Sequence, residues 1–170
     1  DFGNWAQATK SGYKFNDQWV FNSEFELEHA EAGEGKEGEA AMEFAYVEYL
    51  HSDPLNVRTG LLLIPMGFIN EMHEPTTFYG AFRPETERRV IPTTWRELGV
   101  GVVGDAGPVQ YKLQVVNGLD ASGFSDSGIR GGRQKGSKAI AEDWAVVGRL
   151  DWLATDGLLA GFSGYYGNSG

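Results

Sequence analysis

The sequence predicts an all-β fold, an antiparallel up-and-down transmembrane β-barrel of which this chain supplies a section of about eight strands. Two observations carry that prediction. Several stretches alternate apolar and charged residues with period two, as strands with one greasy and one wet face do. The connections between them are also short at one end and long at the other. Residues 56–65 and 95–104 read as neighbouring strands, yet a polar excursion over 66–94 separates them. Loops of that length are usually functional or disordered. By contrast, Ser52-Asp53-Pro54 before the first strand and Asp105-Ala106-Gly107-Pro108 after the second are minimal. Tight periplasmic turns and long outer loops are the asymmetry of a bacterial outer-membrane barrel.

Bulk composition narrows the alternatives. Glycine (24) and aromatics (13%) are abundant, cysteine is absent and hydrophobic residues reach only 41%, unlike a soluble enzyme. A formal net charge of −10 argues against nucleic acid or an anionic membrane surface as the main partner. The longest mostly apolar run, 60–69, contains Pro65 and is about half of what a spanning helix needs. Asp1 opens directly in strand-like sequence, so any signal peptide is expected to have been removed.

Taken in order, residues 2–15 are aromatic but break alternation, and Asn16-Asp17 is a turn signal. Residues 18–29 alternate cleanly: Trp19, Phe21, Ser23, Phe25 and Leu27 against Asn22, Glu24, Glu26 and Glu28. EAGEGKEG over 31–38 is a loop. Residues 40–50 fit either a strand or a helix, and the strand is preferred because its flanks are strands and turns. It sets Ala41, Ala45, Val47 and Tyr49 against Phe44, Tyr46 and Glu48. In 56–65, Val57, Thr59, Leu61 and Leu63 oppose Arg58, Gly60, Leu62 and Ile64; its upper end is apolar on both faces, so the long loop is expected to fold over it. Leu98, Val100 and Val102 oppose Glu97, Gly99 and Gly101, and in 109–117 Val109, Tyr111, Leu113 and Val115 oppose Gln110, Lys112, Gln114 and Val116. Residues 118–142 form a second long loop with a basic run. In 143–153, Trp144, Val146, Leu150 and Trp152 face out and Arg149 and Asp151 face in. A turn at 154–157 leads to a last strand over 158–166.

With the short turns on the periplasmic side, both ends of the chain fall on the outer side. Complete bacterial barrels keep their ends in the periplasm. The 170 residues are therefore expected to be a single β-barrel domain incomplete at both ends, with a small closed eight-stranded barrel as the alternative.

The run PMGFINEMHEPTTFYGAFRPETERRVIPTTWRELGVGVVG, together with FNSEFELEHA, VVNGLDASGF, SGIRGGRQKGSKA and YYGNSG, resembles a Gram-negative outer-membrane porin family related to the phosphate-selective porins. The resemblance runs from about Gln18 to the end. It implies a longer barrel in the bacterial outer membrane, a channel for small solutes or ions, and a homotrimer. Phosphate-selective relatives line the pore with a ladder of arginines and lysines. This sequence departs from that pattern, because its clearest inward face is acidic.

The expected pore lining is Glu24, Glu26, Glu28, Glu48, Arg58, Lys112, Arg149 and Asp151. Opposed acids and bases across a wet lumen favour one ion sign. Glu71, His73, Glu74, Arg83, Arg88 and Arg89 are candidates for a constriction, if 66–94 folds inward. Trp19, Trp144 and Trp152 are placed as girdle aromatics at the membrane interfaces. Glu71-Met72-His73-Glu74 lacks the two-histidine spacing of a zinc helix, and Pro75 ends any helix there. No metal or cofactor is expected. The basic residues of 130–138 are suited to anions or to lipopolysaccharide phosphates, beside the lipid bilayer that the strands would cross. His29, His51 and His73 have no nucleophile motif nearby, and no glycine-rich phosphate loop with a lysine occurs, so no enzyme activity is expected. Two alternatives to a passive aqueous diffusion channel remain: a plugged outer-membrane barrel serving as an anchor or partner-binding platform, and a soluble β-sandwich carbohydrate-binding module.

Overall fold

The computed structural model describes residues 6–28, 39–73, 77, 80, 82–92, 94–126 and 128–170. Its strands are β1 (Ala6–Lys14), β2 (Trp19–Glu28), β3 (Glu39–Ser52), β4 (Leu55–Leu63), β5 (Arg96–Ala106), β6 (Val109–Asn117), β7 (Trp144–Thr155) and β8 (Leu158–Gly167). They form one eight-stranded sheet in chain order, each pair of neighbours antiparallel. Among the described residues β1 and β8 do not pair, so the sheet is an open meander and not a closed eight-stranded barrel. The period-two pattern locates the strands because each has one face to bury and one to expose. Tight turns fix the register at one end. In the first, the Asn16 side chain accepts from the backbone N–H groups of Gln18 and Trp19, both at 2.9 Å.

The faces fall as the alternation predicts. Glu24 is 1% exposed while its neighbour Phe25 is 40% exposed, and Gln114 is 4% exposed beside Leu113 at 49%. The polar face is the covered one. The described part of segment 66–94 folds back across it, and over its short piece 67–73 touches Glu43 of β3, Lys112 of β6, Arg149 of β7 and Ser163 of β8. In a flat sheet β3 and β8 would lie about 24 Å apart. A turn-rich segment this short reaches both because the sheet curls around it.

An apolar core occupies the long-loop end of that inner face. Ile64, Trp95, Val116, Leu119, Ala145 and Val147 are buried together, with Tyr165 of β8 packed beside them and its ring 5.0 Å from that of Trp95. The expected folding of the long loop over the apolar end of β4 is thus realised.

Strict alternation fails in β3. Glu24 pairs with Phe44 and Phe25 with Met42, which leaves Glu43 as the extra residue of a β-bulge. Two-residue periodicity would set Glu43 outward with Ala41 and Ala45. The bulge instead turns it inward beside Phe44, and it is 3% exposed.

Curvature has a backbone requirement where β4 meets β5. Gly60 pairs with Gly99, and a Cβ on Gly60 would stand 2.3 Å from the Ala45 carbonyl oxygen, on a backbone with φ +136°. Gly60→Ala is therefore expected to destabilise the fold by about 2 kcal/mol, through strain and backbone displacement. Gly164→Ala, whose nearest neighbour would be 3.8 Å away, is expected to leave stability unchanged. Chemical denaturation of the two variants checks the difference.

Candidate functional site

The site is the inner face of the sheet together with the segment lying on it. Asn70, 3% exposed, anchors the base of that segment. Its amide nitrogen donates to the carbonyls of Ile64 (2.7 Å) and Trp95 (2.9 Å), and its oxygen accepts from the Trp95 N–H at 2.7 Å. The side chain therefore closes the loop as a missing rung of the β4–β5 ladder would. Further along, Lys112 donates to both oxygens of Glu71, at 2.7 and 2.6 Å. His73 Nδ1 lies 3.1 Å from the Asn70 carbonyl and Nε2 lies 2.5 Å from Glu43. Arg149 donates to the Gly67 carbonyl, and the Gly67 N–H donates to Ser163. Glu87, on the short helical turn Thr86–Val90, accepts from the Phe68 N–H at 2.5 Å.

On the wall itself the charges are matched. Arg58 donates to Glu48 at 2.7 Å and lies 5.1 Å over the Tyr46 ring. Arg149 grips Asp151 through Nε and Nη2, at 2.6 and 2.8 Å. This forked geometry is what makes arginine–carboxylate pairs strong and directional. Lys10 of β1 stands 3.9 Å from Glu24. Such burial of carboxylates is tolerated only with partners of this kind. Between the wall and the segment is a cavity of about 470 Å³, lined among others by Lys10, Glu24, Tyr46, Arg58, Glu71 and His73.

Glu24, Glu43 and His73 each offer a possible ligand atom, all within 4.8 Å of one another. Glu43 and His73 are already engaged with each other, and the Lys10 ammonium supplies a cation beside Glu24. The arrangement is a charge-matched cluster that ties the segment to β2 and β3.

Of the expected lining residues, Glu24, Glu26, Glu48, Arg58, Lys112, Arg149 and Asp151 share this face, Glu26 through a hydrogen bond to Glu43. The face is less wet than its charge implied: Glu24, Glu48 and Asp151 are buried, because the segment lies over them. In the segment, Glu71 and His73 meet the wall. Arg83 instead braces the segment itself, donating to Thr94 and to the His73 carbonyl at 3.2 and 3.0 Å. Glu74 and the side chains of Glu28, Arg88 and Arg89 lie outside the described residues. Trp19, Trp144 and Trp152 are all exposed on the outward face. His51 stacks on Tyr49 away from the cluster, and His29 is outside the described residues.

Sequence reasoning missed Glu43 and Asn70. Glu43 was hidden by the bulge. A polar residue directly after the apolar run 60–69 was the one available signal for Asn70.

Two consequences are measurable. Asn70→Ala leaves the buried Trp95 N–H without a partner, while the Ile64 and Trp95 carbonyls each keep one backbone bond, which is expected to cost about 2 kcal/mol. Thermal unfolding reads that loss. For His73, burial disfavours the charged ring, but the hydrogen bond and charge of Glu43 outweigh it and hold the imidazole above its ordinary value of about 6.5. Its pairing therefore stabilises the docked segment fully below that pH, and the contribution fades as pH rises through the raised folded-state value. Limited proteolysis of 66–94 is expected to quicken as pH rises above the ordinary histidine value of about 6.5, and His73→Gln to abolish that dependence.

No family model matches the chain, and no solved structure matches it. An uncharacterized protein of Aquifex aeolicus (strain VF5) is 44% identical over 156 residues, which is 89% of this chain and 36% of that protein. The chain thus spans about a third of the length of the curated relative it matches.

Proposed function

We propose that this chain is a section of an outer-membrane β-barrel of the porin type, through which small solutes or ions diffuse passively past an infolded segment. The observation that carries the reading is the inverted sidedness of the sheet. Phe25, Leu27, Val100, Leu113, Val115, Leu150 and Phe162 are exposed, whereas Glu24, Glu48, Glu97 and Asp151 are buried on the opposite face. Water would favour the reverse. A hydrocarbon solvent around an aqueous interior favours this arrangement, and it also accounts for exposed tryptophans at both ends of β7. The resemblance to porins related to the phosphate-selective ones, with the trimer it implies, points the same way.

On this reading segment 66–94 is the constriction. Its contacts with β3, β6, β7 and β8 hold it across the inner face. Lys10, Arg58, Lys112 and Arg149 are each neutralised by a carboxylate, so no basic ladder is left to select phosphate. Glu26 and Glu43, the latter paired with His73, leave the wall with more carboxylates than permanently charged cations. The passage is therefore expected to prefer cations.

The runner-up is a plugged barrel that acts as an anchor or partner-binding platform. It is favoured by the apolar core of Ile64, Trp95, Val116 and Val147, which fills the long-loop end of the inner face. A soluble sandwich would need a second sheet. The described strands form one, and what covers its polar face is loop with a short helical turn.

Planar-bilayer recording of the full-length protein tests these readings. A diffusion channel gives steady conductance and a cation-preferring reversal potential, and replacing 68–90 with a short linker is expected to raise conductance severalfold. Absence of steady current in wild type, with current appearing only after that deletion, would establish the plug. Recovery in the soluble fraction without detergent would end both barrel readings.

A further inference from the structure

We propose that the long-loop rim of the sheet carries a site for a phosphorylated membrane lipid, its phosphate held by the basic loop after β6 and its acyl chain lying on the outward apolar face. The inference rests on the barrel reading and specifies a partner for its outer surface. Arg96 opens β5 on the same face as Leu98 and Val100, the face that is otherwise apolar and exposed. It is 9% exposed, its Nε has no hydrogen-bond partner, and Nη1 makes a single 3.3 Å bond to the Thr94 carbonyl. An arginine so buried, with so little compensation, is costly without an anion.

The loop 128–138 folds down against that face. A Cβ on Gly136 would lie 2.8 Å from the Leu61 side chain and 3.6 Å from that of Leu98. This brings Arg133, Lys135 and Lys138 around Arg96 at an open cavity of about 640 Å³, whose lining has these cations and Arg130 against one carboxylate, Glu39. Met42, Leu61 and Leu98 form its apolar wall. Among the described residues neither Lys135 nor Lys138 makes an ion pair with a carboxylate. The cations strain one another. Burial first, then Arg130 and Arg96, press Arg133 below its ordinary value against the pull of Glu97, and burial followed by Arg133 and Arg96 does the same to Lys135 against that of Glu39. An anion set among them converts that repulsion into attraction, and arginine forks match phosphate oxygens.

The occupant follows from the two halves of the cavity. Inorganic phosphate would use the cations and leave Met42 and Leu98, 42% and 40% exposed, with nothing to cover them. A lipid uses both, because the apolar wall runs on into the outward band of the strands. Basic pockets beside membrane-spanning elements hold lipid headgroups in the same way.

The test is calorimetric titration of the full-length protein in neutral detergent with dioctanoyl phosphatidic acid, dioctanoyl phosphatidylcholine and inorganic phosphate. Phosphatidic acid is expected to bind at least tenfold more tightly than either of the others. The Lys135→Asn/Lys138→Gln variant is expected to lose at least tenfold of that affinity, and Leu98→Ser to weaken the lipid while leaving phosphate unchanged. Channel conductance should stay at the wild-type level in both variants, which also shows that they fold. Equal lipid affinity in wild type and the lysine variant overturns the site, and inorganic phosphate binding as tightly as the lipid reduces it to an anion site. A protein that conducts but fails these titrations loses this inference alone. One that never enters the membrane loses the barrel reading instead.

Discussion

A strand residue points to one side of its sheet or the other, and in this chain the side bearing the carboxylates is the covered side. That single assignment governs the rest. Once Glu24, Glu48, Glu97 and Asp151 lie under a lid of coil, each needs a partner close by, since an isolated buried charge would cost more than the fold can supply. For the wall residues the partners come from adjacent strands or the same strand: Lys10 for Glu24, Arg58 for Glu48 and Arg149 for Asp151. The register of the sheet is thus also the register of its charges, and a slip by one residue would break both together.

The covering segment obeys the same rule from the other side. Its polar groups meet the wall in kind, with Glu71 against Lys112, His73 against Glu43 and the Gly67 carbonyl against Arg149. Asn70 completes the backbone bonding at its base. Apolar packing is confined to the long-loop end, where Trp95, Ile64 and Tyr165 close over Val116 and Val147. The long-loop end of the inner face therefore holds the apolar cluster together with a buried carboxylate, Glu97, which accepts from the Trp95 indole.

Much of this was legible in the sequence because the strands are long and their alternation is strong. Residues 109–117 were read with the bounds that β6 has, and the two faces of residues 19–27 were assigned as found. The acids and bases on those strands could be placed on one face from parity alone. Their pairing could not, since Arg58 meets Glu48 only because β3 and β4 are registered as they are. The docking of 66–94 was invisible for a related reason. Its contacts reach strands distant in the chain, and no local pattern encodes that His73 will find Glu43. Glu43 itself was obscured because a bulge spends one residue without a partner, which simple alternation cannot anticipate.

That unpaired residue divides β3 into two halves whose alternation runs in opposite phase. Between Glu39 and Met42 the odd–even rule has one sense, and from Phe44 to Ser52 it has the other. Losing one residue at Glu43 would bring the halves into a common phase and remove only the carboxylate that meets His73. Losing one elsewhere in the strand would turn a stretch of side chains inside out. Comparison of homologues should therefore find length variation in β3 concentrated at this position, and an alignment that forbids a gap there will misassign which of its residues face inward.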